Sequence, residues 1–323
     1  MQVYNVTMLA PTQVGKTTLL AVMWDGFKKA VGAADLNVHA TGQTAVRLTQ
    51  TLNDLKTMLA RSDTFKVGPG INGTMGEEVY PLFLSRKAGG INESEIEIRF
   101  HDFPGGWFAG TDEQQKKIGN MIENCDVILI PINSPPLIHD KGLWHDAYNN
   151  PSAVSNLIQS HLSANAVKAK SRLVLFVPLK SEYYLQNDRD SEALVDRVQE
   201  SYRTWFDHLA CDRLKEHTAV AITPIQTLGN VLFQYAEPDG TNPPVFVFGK
   251  KDPRAGYEPK DADQLLRYLL SFFFEKYRRE ASIWTRTLAL FWGSEFLDAA
   301  EKFGRDKKRT TPFRVVQDAG GLI

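Results

Sequence analysis

Short runs of β-branched and apolar residues alternate along this chain with longer stretches whose apolar positions recur every three to four residues. These are the two periods that separate strands from amphipathic helices. Residues 2–9 (QVYNVTML) are the first run, and a Pro- and Gly-containing loop leads from them into GKTTLLAVMWDGFKKAV, which has helical spacing. A strand-loop-helix unit is predicted there. Val46, Leu48, Leu52, Leu55, Met58 and Leu59 place an apolar face on a helix over 41–61, which the Gly-rich VGPGINGT ends. VYPLFLS (79–85) and SEIEIRFHD (94–102), parted by the turn-prone KAGGINE, predict a β-hairpin. CDVILIPIN (125–133), RLVLFVPLK (172–180) and HTAVAITPI (217–225) are nearly continuous apolar runs. Strands of that kind belong in a parallel sheet covered on both faces. Helical patterns near 111–124, 151–169, 191–209 and 259–279 alternate with them. The series predicts an α/β fold with a doubly wound, mostly parallel sheet.

Residues 226–257, with EPDGTNPP and GKKDPRAG, predict a loop insertion around one short strand, VFVFG. From residue 281 an amphipathic helix, IWTRTLALFWGSEFLDAAEKF, leads into a basic tail expected to be mobile. The expected organisation is one domain over 1–280, with insertions near 40–70, 134–170 and 226–257, and a C-terminal helical extension over 281–323.

At 323 residues, 43% hydrophobic and 23% charged, the chain has the balance of an ordinary soluble protein. Its 37 Lys and Arg against 38 Asp and Glu provide no global positive field, so nucleic acid is not an expected partner. Cys125 and Cys211 fit neither a disulfide framework nor a metal-ligand spacing, and the N-terminus carries neither the basic region of a signal peptide nor an anchor. A cytoplasmic protein is expected. The run from Ser271 to Phe303 is rich in aromatic and basic residues, but Glu275, Glu280, Glu295, Asp298 and Glu301 interrupt it. Packing on the domain or on a protein partner is therefore expected over membrane contact.

The segment Ala10-Pro-Thr-Gln-Val-Gly-Lys-Thr17 fits the phosphate-loop pattern G-x-x-x-x-G-K-[ST] except that Ala10 replaces the first Gly. Thr12, Gln13, Val14, Gly15, Lys16, Thr17 and Thr18 are the candidate nucleotide-binding residues. In such a loop the backbone N–H groups surround the β-phosphate at a helix N-terminus, the lysine ammonium reaches the β- and γ-phosphates, and the hydroxyl after it meets Mg²⁺. A chance G-K-T at a helix start is the alternative, and the flanking strand and helix speak against it. Asp102-Phe-Pro-Gly105 closes a later strand. An acid there can anchor magnesium through a water, with the Gly105 N–H left for the γ-phosphate.

APTQVGKT, DFPG and the later LKSE (179–182) resemble the first, third and fourth motifs of the Ras-like, translation-factor-related P-loop GTPases. The resemblance covers about residues 1–280, and the DFPGGW form with its large insertions is similar to bacterial GTPases of the conflict-system or double-GTPase type. It implies GTP/GDP as ligands, with Mg²⁺ held by Thr17, Asp102 and a switch threonine. Thr74, five residues before VYPLFLS, is the choice for that threonine and, with Lys16, for catalysis; an ordinary loop threonine is the alternative. Guanine recognition would fall to Lys180 and Glu182, whose carboxylate is one methylene longer than the family's aspartate. Leu179 cannot replace the family's asparagine, and solvated loop charges are the alternative at Lys180 and Glu182. Thr223 matches the fifth motif by position only.

The family often places a water-orienting glutamine after this glycine, but Gly106 and Trp107 stand here. Gln13 is a conceivable substitute, although a solvent-facing role suits it better. His101 is expected to face away from Asp102 as a satisfied core or interface histidine and not as a catalytic base. The resemblance thus implies a GTP-binding switch with slow hydrolysis, whose segments 68–78 and 102–119 respond to nucleotide and which has a protein effector or activating partner. An ATPase and a catalytically weak nucleotide-binding scaffold are the alternatives.

Overall fold

The computed structural model describes residues 1–67, 76–86, 96–162, 170–240, 242–280 and 294–323. The first apolar run forms β1 (Gln2–Met8), and the phosphate-loop segment connects it to α1 (Lys16–Val31). Next in the chain are β2 (Leu36–Ala40), α2 (Gly42–Arg61), β3 (Thr64–Val67), β4 (Glu78–Arg86) and β5 (Ile96–Asp102). α3 (Asp112–Asn124) then leads to β6 (Val127–Asn133), β7 (Arg172–Leu179) and β8 (Thr218–Ile222), and the later strands are β9 (Val231–Asp239), β10 (Asn242–Lys250) and β11 (Arg314–Gln317).

Among the described residues, eight strands form one sheet in the order β11-β8-β7-β6-β1-β5-β4-β2. β5, β1, β6, β7 and β8 are mutually parallel, and β4 is antiparallel to β5, as the hairpin pattern predicts. This is the doubly wound α/β sheet expected from the alternation. Chain order reverses beside β1, whose neighbours are β5 and β6, so a crevice opens at the C-terminal ends of these strands. The phosphate-loop segment leaves β1 at that place. Register puts Met8 opposite Asp102, which brings the ends of β1 and β5 level.

Continuous apolar strands are explained by cores on both faces. Along β6, Leu129 packs with Met8, Phe27, Phe100 and Phe272 on one face. Its neighbours Ile128 and Ile130 pack with Phe103, Ile118, Phe176 and Trp205 on the other. Tyr4 stacks on Phe273 of the helix Ala262–Glu280 with ring centroids 3.8 Å apart.

Several expectations need correction. The short strands β2 and β3 were not predicted. Residues 226–257 are more than a loop, because β9 and β10 form a hairpin and β3 joins it in a second sheet of order β3-β10-β9. The pattern over 191–209 divides into the helices Asp188–Ser201 and Arg203–Leu209. Val46, placed on the apolar face of α2, is 65% exposed, whereas Leu48, Leu52 and Leu59 are buried. The end of the chain is docked rather than mobile: β11 pairs antiparallel with β8, and Phe313, Leu322 and Ile323 are buried. That strand covers an edge of the sheet that would otherwise expose unpaired backbone groups.

Candidate functional site

The loop between β1 and α1 is shaped by two residues in left-handed conformations, Gln13 (φ 71°) and Gly15 (φ 112°). Such a sequence turns successive N–H groups toward one concavity, the geometry of an anion nest. Ala10 is buried and does not share the positive φ, so alanine serves where the pattern has glycine. The Leu19 N–H donates to the Gly15 carbonyl at 2.8 Å and begins the helix.

Lys16 is buried, and its ammonium donates to the carbonyls of Ala10 at 2.9 Å and Pro11 at 3.3 Å. Its Nζ also lies 3.9 Å from Asp102 Oδ1. Burial lowers the lysine pKa, and the charge of Asp102 opposes that shift. Asp102 is fully buried at the end of β5, and Thr17 Oγ1 donates to its Oδ2 at 3.2 Å. A cation, a hydroxyl and a carboxylate therefore converge at the start of α1. Beside them Glu78 stands opposite Asp102 in the β4–β5 register, accepts from Tyr80 Oη and pairs with Arg47 of α2. This neighbouring network was not foreseen in the sequence.

Gly105 locks the second motif onto the first. A Cβ at this position would lie 1.9 Å from Thr12 N and 2.3 Å from the Pro11 carbonyl carbon, so only glycine permits this backbone approach. His101 faces away from the cluster; its Nε2 lies 3.1 Å from Asn5 Oδ1, and burial lowers its pKa. It is buried as expected, but among the described residues only its Nε2 is hydrogen-bonded; Nδ1 is 3.9 Å from Glu77 Oε1.

At the other end of the crevice, Lys180 adopts φ 54° just after β7 and donates from Nζ to the Gln13 carbonyl at 3.1 Å. Burial pulls its pKa down to about 8 against the opposing charge of Glu182. Glu182 is 2% exposed. Its Oε1 accepts from the N–H groups of Leu228 at 2.9 Å and Gly229 at 3.3 Å, and from Thr227 Oγ1 at 3.4 Å. Burial raises the Glu182 pKa, and these hydrogen bonds counter the shift. Lys180 and Glu182 are thus built into the crevice and are not solvated loop charges. Leu179 packs toward the turn, its Cδ1 being 3.7 Å from where a Gly15 Cβ would stand.

A cleft of about 360 Å³ connects the two ends. It brings together Thr12, Gln13, Val14, Gly15, Lys16, Thr17, Thr18, Gly105, Lys180 and Glu182. Asp102 does not line the cleft but accepts from Thr17, which does. Thr223 is fully buried, its N–H donates to the Phe176 carbonyl at 2.8 Å, and it does not line the cleft. Thr227 and Leu228 take the wall that sequence position assigned to it. Thr74 lies outside the described residues. The cleft also has lining residues that the sequence did not assign to the site, from β3, β9 and β10 and from α2, whose Leu55 and Met58 were read only as an apolar helix face. They come from separate insertions, and no local motif marks them.

No protein-family model and no curated protein matches the chain. Solved structures do. The signal recognition particle receptor SRb-GTP/SRX complex from Chaetomium thermophilum matches with a TM-score of 0.37 and 11% identity, covering 75% of this chain and 94% of that one. The S. cerevisiae Ski7 GTPase-like domain bound to GTP matches at 0.36 and 14% identity, over 70% of this chain and 43% of that one. The same domain bound to GDP and inorganic phosphate matches at 0.37 and 13% identity, with the same coverage. The chain therefore spans less than half the length of the Ski7 chains. Its own strand order carries the fold assignment. No helix among the described residues is long and apolar enough to cross a membrane.

Proposed function

We propose that this chain is a cytoplasmic GTP-binding switch that hydrolyses GTP slowly with Mg²⁺. The observation that supports it most is the convergence of Lys16, Thr17 and Asp102 below a loop whose Gln13 and Gly15 are left-handed. A triphosphate suits this set: the loop N–H groups and the Lys16 ammonium neutralise phosphate oxygens. The Thr17 hydroxyl and the Asp102 carboxylate are hard oxygen donors of the kind magnesium takes. Bound there, the ion would withdraw charge from the phosphate oxygens as the bond to the γ-phosphorus breaks. Thr74 is proposed as a further ligand and switch residue on the strength of its position in the sequence.

Hydrolysis joins a water oxygen to the γ-phosphorus and releases GDP and inorganic phosphate. Phosphoryl transfer depends on positioning and charge stabilisation, and neither Gly106 nor Trp107 offers a side chain that orients water. Slow turnover follows, with a protein partner to supply the missing group. The DFPGGW form and the insertions support membership among bacterial conflict-system or double-GTPase-like proteins.

For the base, Glu182 Oε1 is engaged by the 227–229 loop while Oε2 takes none of those bonds. Oε2 is assigned the guanine N1 and N2 donors, with Lys180 along the base. A second reading, an ATPase, is favoured by Leu179 in the asparagine position and by the bonds already made to Glu182. Thermal unfolding with GTP, GDP, ATP and ADP separates the two. GTP and GDP should raise the midpoint more than their adenine counterparts. Larger shifts with ATP and ADP would support the ATPase reading, equal shifts would remove the guanine assignment, and no shift with any of them would remove the nucleotide assignment.

A further inference from the structure

The phosphate loop accounts for only one end of the cleft. The other end is walled by Leu55 and Met58 of α2, Phe65 of β3, Leu228, Val231 of β9 and Phe248 of β10. All are apolar, and none is needed to hold phosphate. Phe65 and Phe248 stand opposite each other in the β3–β10 register, and Phe248 also pairs with Phe233 of β9. Phe233 and Phe248 meet edge to face at 6.0 Å, and Phe233 lies 5.9 Å from Phe246. The wall is therefore backed by packed aromatic rings.

The Leu228 edge is fixed as well. The Glu182 carboxylate holds the Leu228 and Gly229 N–H groups, and the Glu258 N–H donates to the Leu228 carbonyl at 3.2 Å. Polar groups line this end at Lys180, Glu182 and Thr227, where the Leu228 wall meets β7, and beside Phe65 at Lys66, whose ammonium pairs with Glu237 at 2.6 Å. A compartment with apolar sides and a polar edge fits a planar heterocycle, whose faces are apolar and whose rim carries donors and acceptors. The whole cleft, at about 360 Å³, lies in the range of about 300–1,000 Å³ usual for small-molecule sites.

We propose that the α2 and small-sheet insertions form a half-open base compartment, in which the purine of a nucleoside triphosphate packs between Met58, Phe65, Leu228 and Phe248. Glu182 has a second duty there as a positioning residue, tying the Leu228 wall to the polar edge. This rests on the nucleotide reading above and deepens it: the affinity for the base comes chiefly from two insertions, which lie far apart in the chain.

The test compares GTP with inorganic tripolyphosphate, which carries the phosphates and no base, on the full chain in magnesium. Met58, 36% exposed, is replaced by Glu, which puts a charge on the wall with little cost to the fold. Leu228→Ala is the second variant, because it shortens another lining side chain without adding charge. Thermal unfolding without ligand checks that both fold. The expected result is a tenfold or greater loss of GTP affinity in Met58→Glu, a smaller loss in Leu228→Ala, and tripolyphosphate binding within twofold of wild type in both. Unchanged GTP binding in both variants would overturn the compartment and leave the nucleotide reading standing. Equal losses for GTP and tripolyphosphate would also overturn it, since the wall would then support the phosphate loop instead of the base. Wild-type protein that binds neither ligand would remove the nucleotide reading itself, and the compartment with it.

Discussion

Thr17 Oγ1 donates to Asp102 Oδ2 at 3.2 Å, joining residues 85 positions apart at the junction of α1 and β5. The parallel register that places Met8 beside Asp102 makes the meeting possible. If magnesium is held here, the hydroxyl and the carboxylate both act through the ion. Thr17→Ala and Asp102→Asn should each weaken GTP binding about tenfold or more in magnesium, and much less in EDTA, a difference of about 1.4 kcal/mol per tenfold. Titration calorimetry in both buffers checks this. Equal losses with and without metal would show that the two residues merely shape the loop.

Lys16 carries the phosphate assignment. At a ligand concentration about a hundred times Kd, Mg·GTP should add roughly 2.7 kcal/mol of apparent stability to the wild type. Lys16→Ala should lose most of that increment. The variant without ligand also loses the bonds to Ala10 and Pro11, so the comparison is the shift on adding nucleotide within each protein, read by thermal unfolding. A full-sized shift in Lys16→Ala would sink the assignment.

Gly105 and Gly106 are neighbours with opposite expectations. A methyl at Gly105 would meet the backbone at Pro11 and Thr12, which cannot rotate away as a side chain can, whereas one at Gly106 meets nothing within 4 Å. Overpacking of this kind costs about 1–3 kcal/mol or more. Gly105→Ala should lower denaturant stability by that amount and impair nucleotide binding, while Gly106→Ala should do neither. Matching stabilities for the two variants would show that the DFPG turn does not rest on the phosphate loop.

The central sheet was legible because β6, β7 and β8 are covered on both faces and read as nearly continuous apolar runs, while β1 begins the strand-loop-helix unit and β5 is marked by its alternating sequence and its hairpin partner β4. The phosphate loop was legible because its chemistry is local in sequence. β2, β3 and β11 are five, four and four residues long. In such short strands pairing is decided by distant partners, as when β3 joins β10 or β11 caps β8. The same reason hid the apolar wall: Met58, Phe65, Leu228 and Phe248 share no motif and meet only after the insertions fold together. Thr223 was assigned by analogy of position, and an insertion beginning just beyond it moves the lining role on to Thr227 and Leu228.

The depressed pKa of Lys180 has a pH signature. Burial lowers it from 10.5 to about 8, so between these values the unfolded chain binds more protons than the folded one. By linkage the stability contribution then rises with pH across that window, and below about pH 8 the full cost of burying the charge is present. The effect is at most about 3 kcal/mol. Lys180→Met should abolish this rise, so wild-type stability should gain on the variant as pH goes from 7.5 to 10. Denaturant unfolding of both proteins over that range measures the difference, and parallel curves would show that the ammonium is not desolvated.

The base is where the chain departs furthest from the GTPase motifs it resembles, and Glu182 bears the claim. Its Oε1 already accepts three hydrogen bonds from residues 227–229, so Glu182→Ala should act twice. It leaves the Leu228 and Gly229 N–H groups without their charged acceptor, which should lower stability in the absence of ligand. It also removes the acceptor proposed for guanine N1 and N2, at about 1.5–3 kcal/mol for a hydrogen bond to a charged group. Only the second effect discriminates between bases. Binding of GTP and ATP by the same variant therefore separates the two roles: a wall that has merely loosened weakens both nucleotides alike, whereas loss of base reading weakens GTP and spares ATP. Glu182→Gln sharpens the comparison, because an amide can still accept from the loop through its oxygen but presents donors where guanine also donates. It should keep more of the stability than Glu182→Ala and lose at least as much of the GTP preference. If both variants keep the wild-type ratio of GTP to ATP affinity, Glu182 serves the wall alone, and the guanine assignment would have to rest on backbone groups of the 227–229 loop.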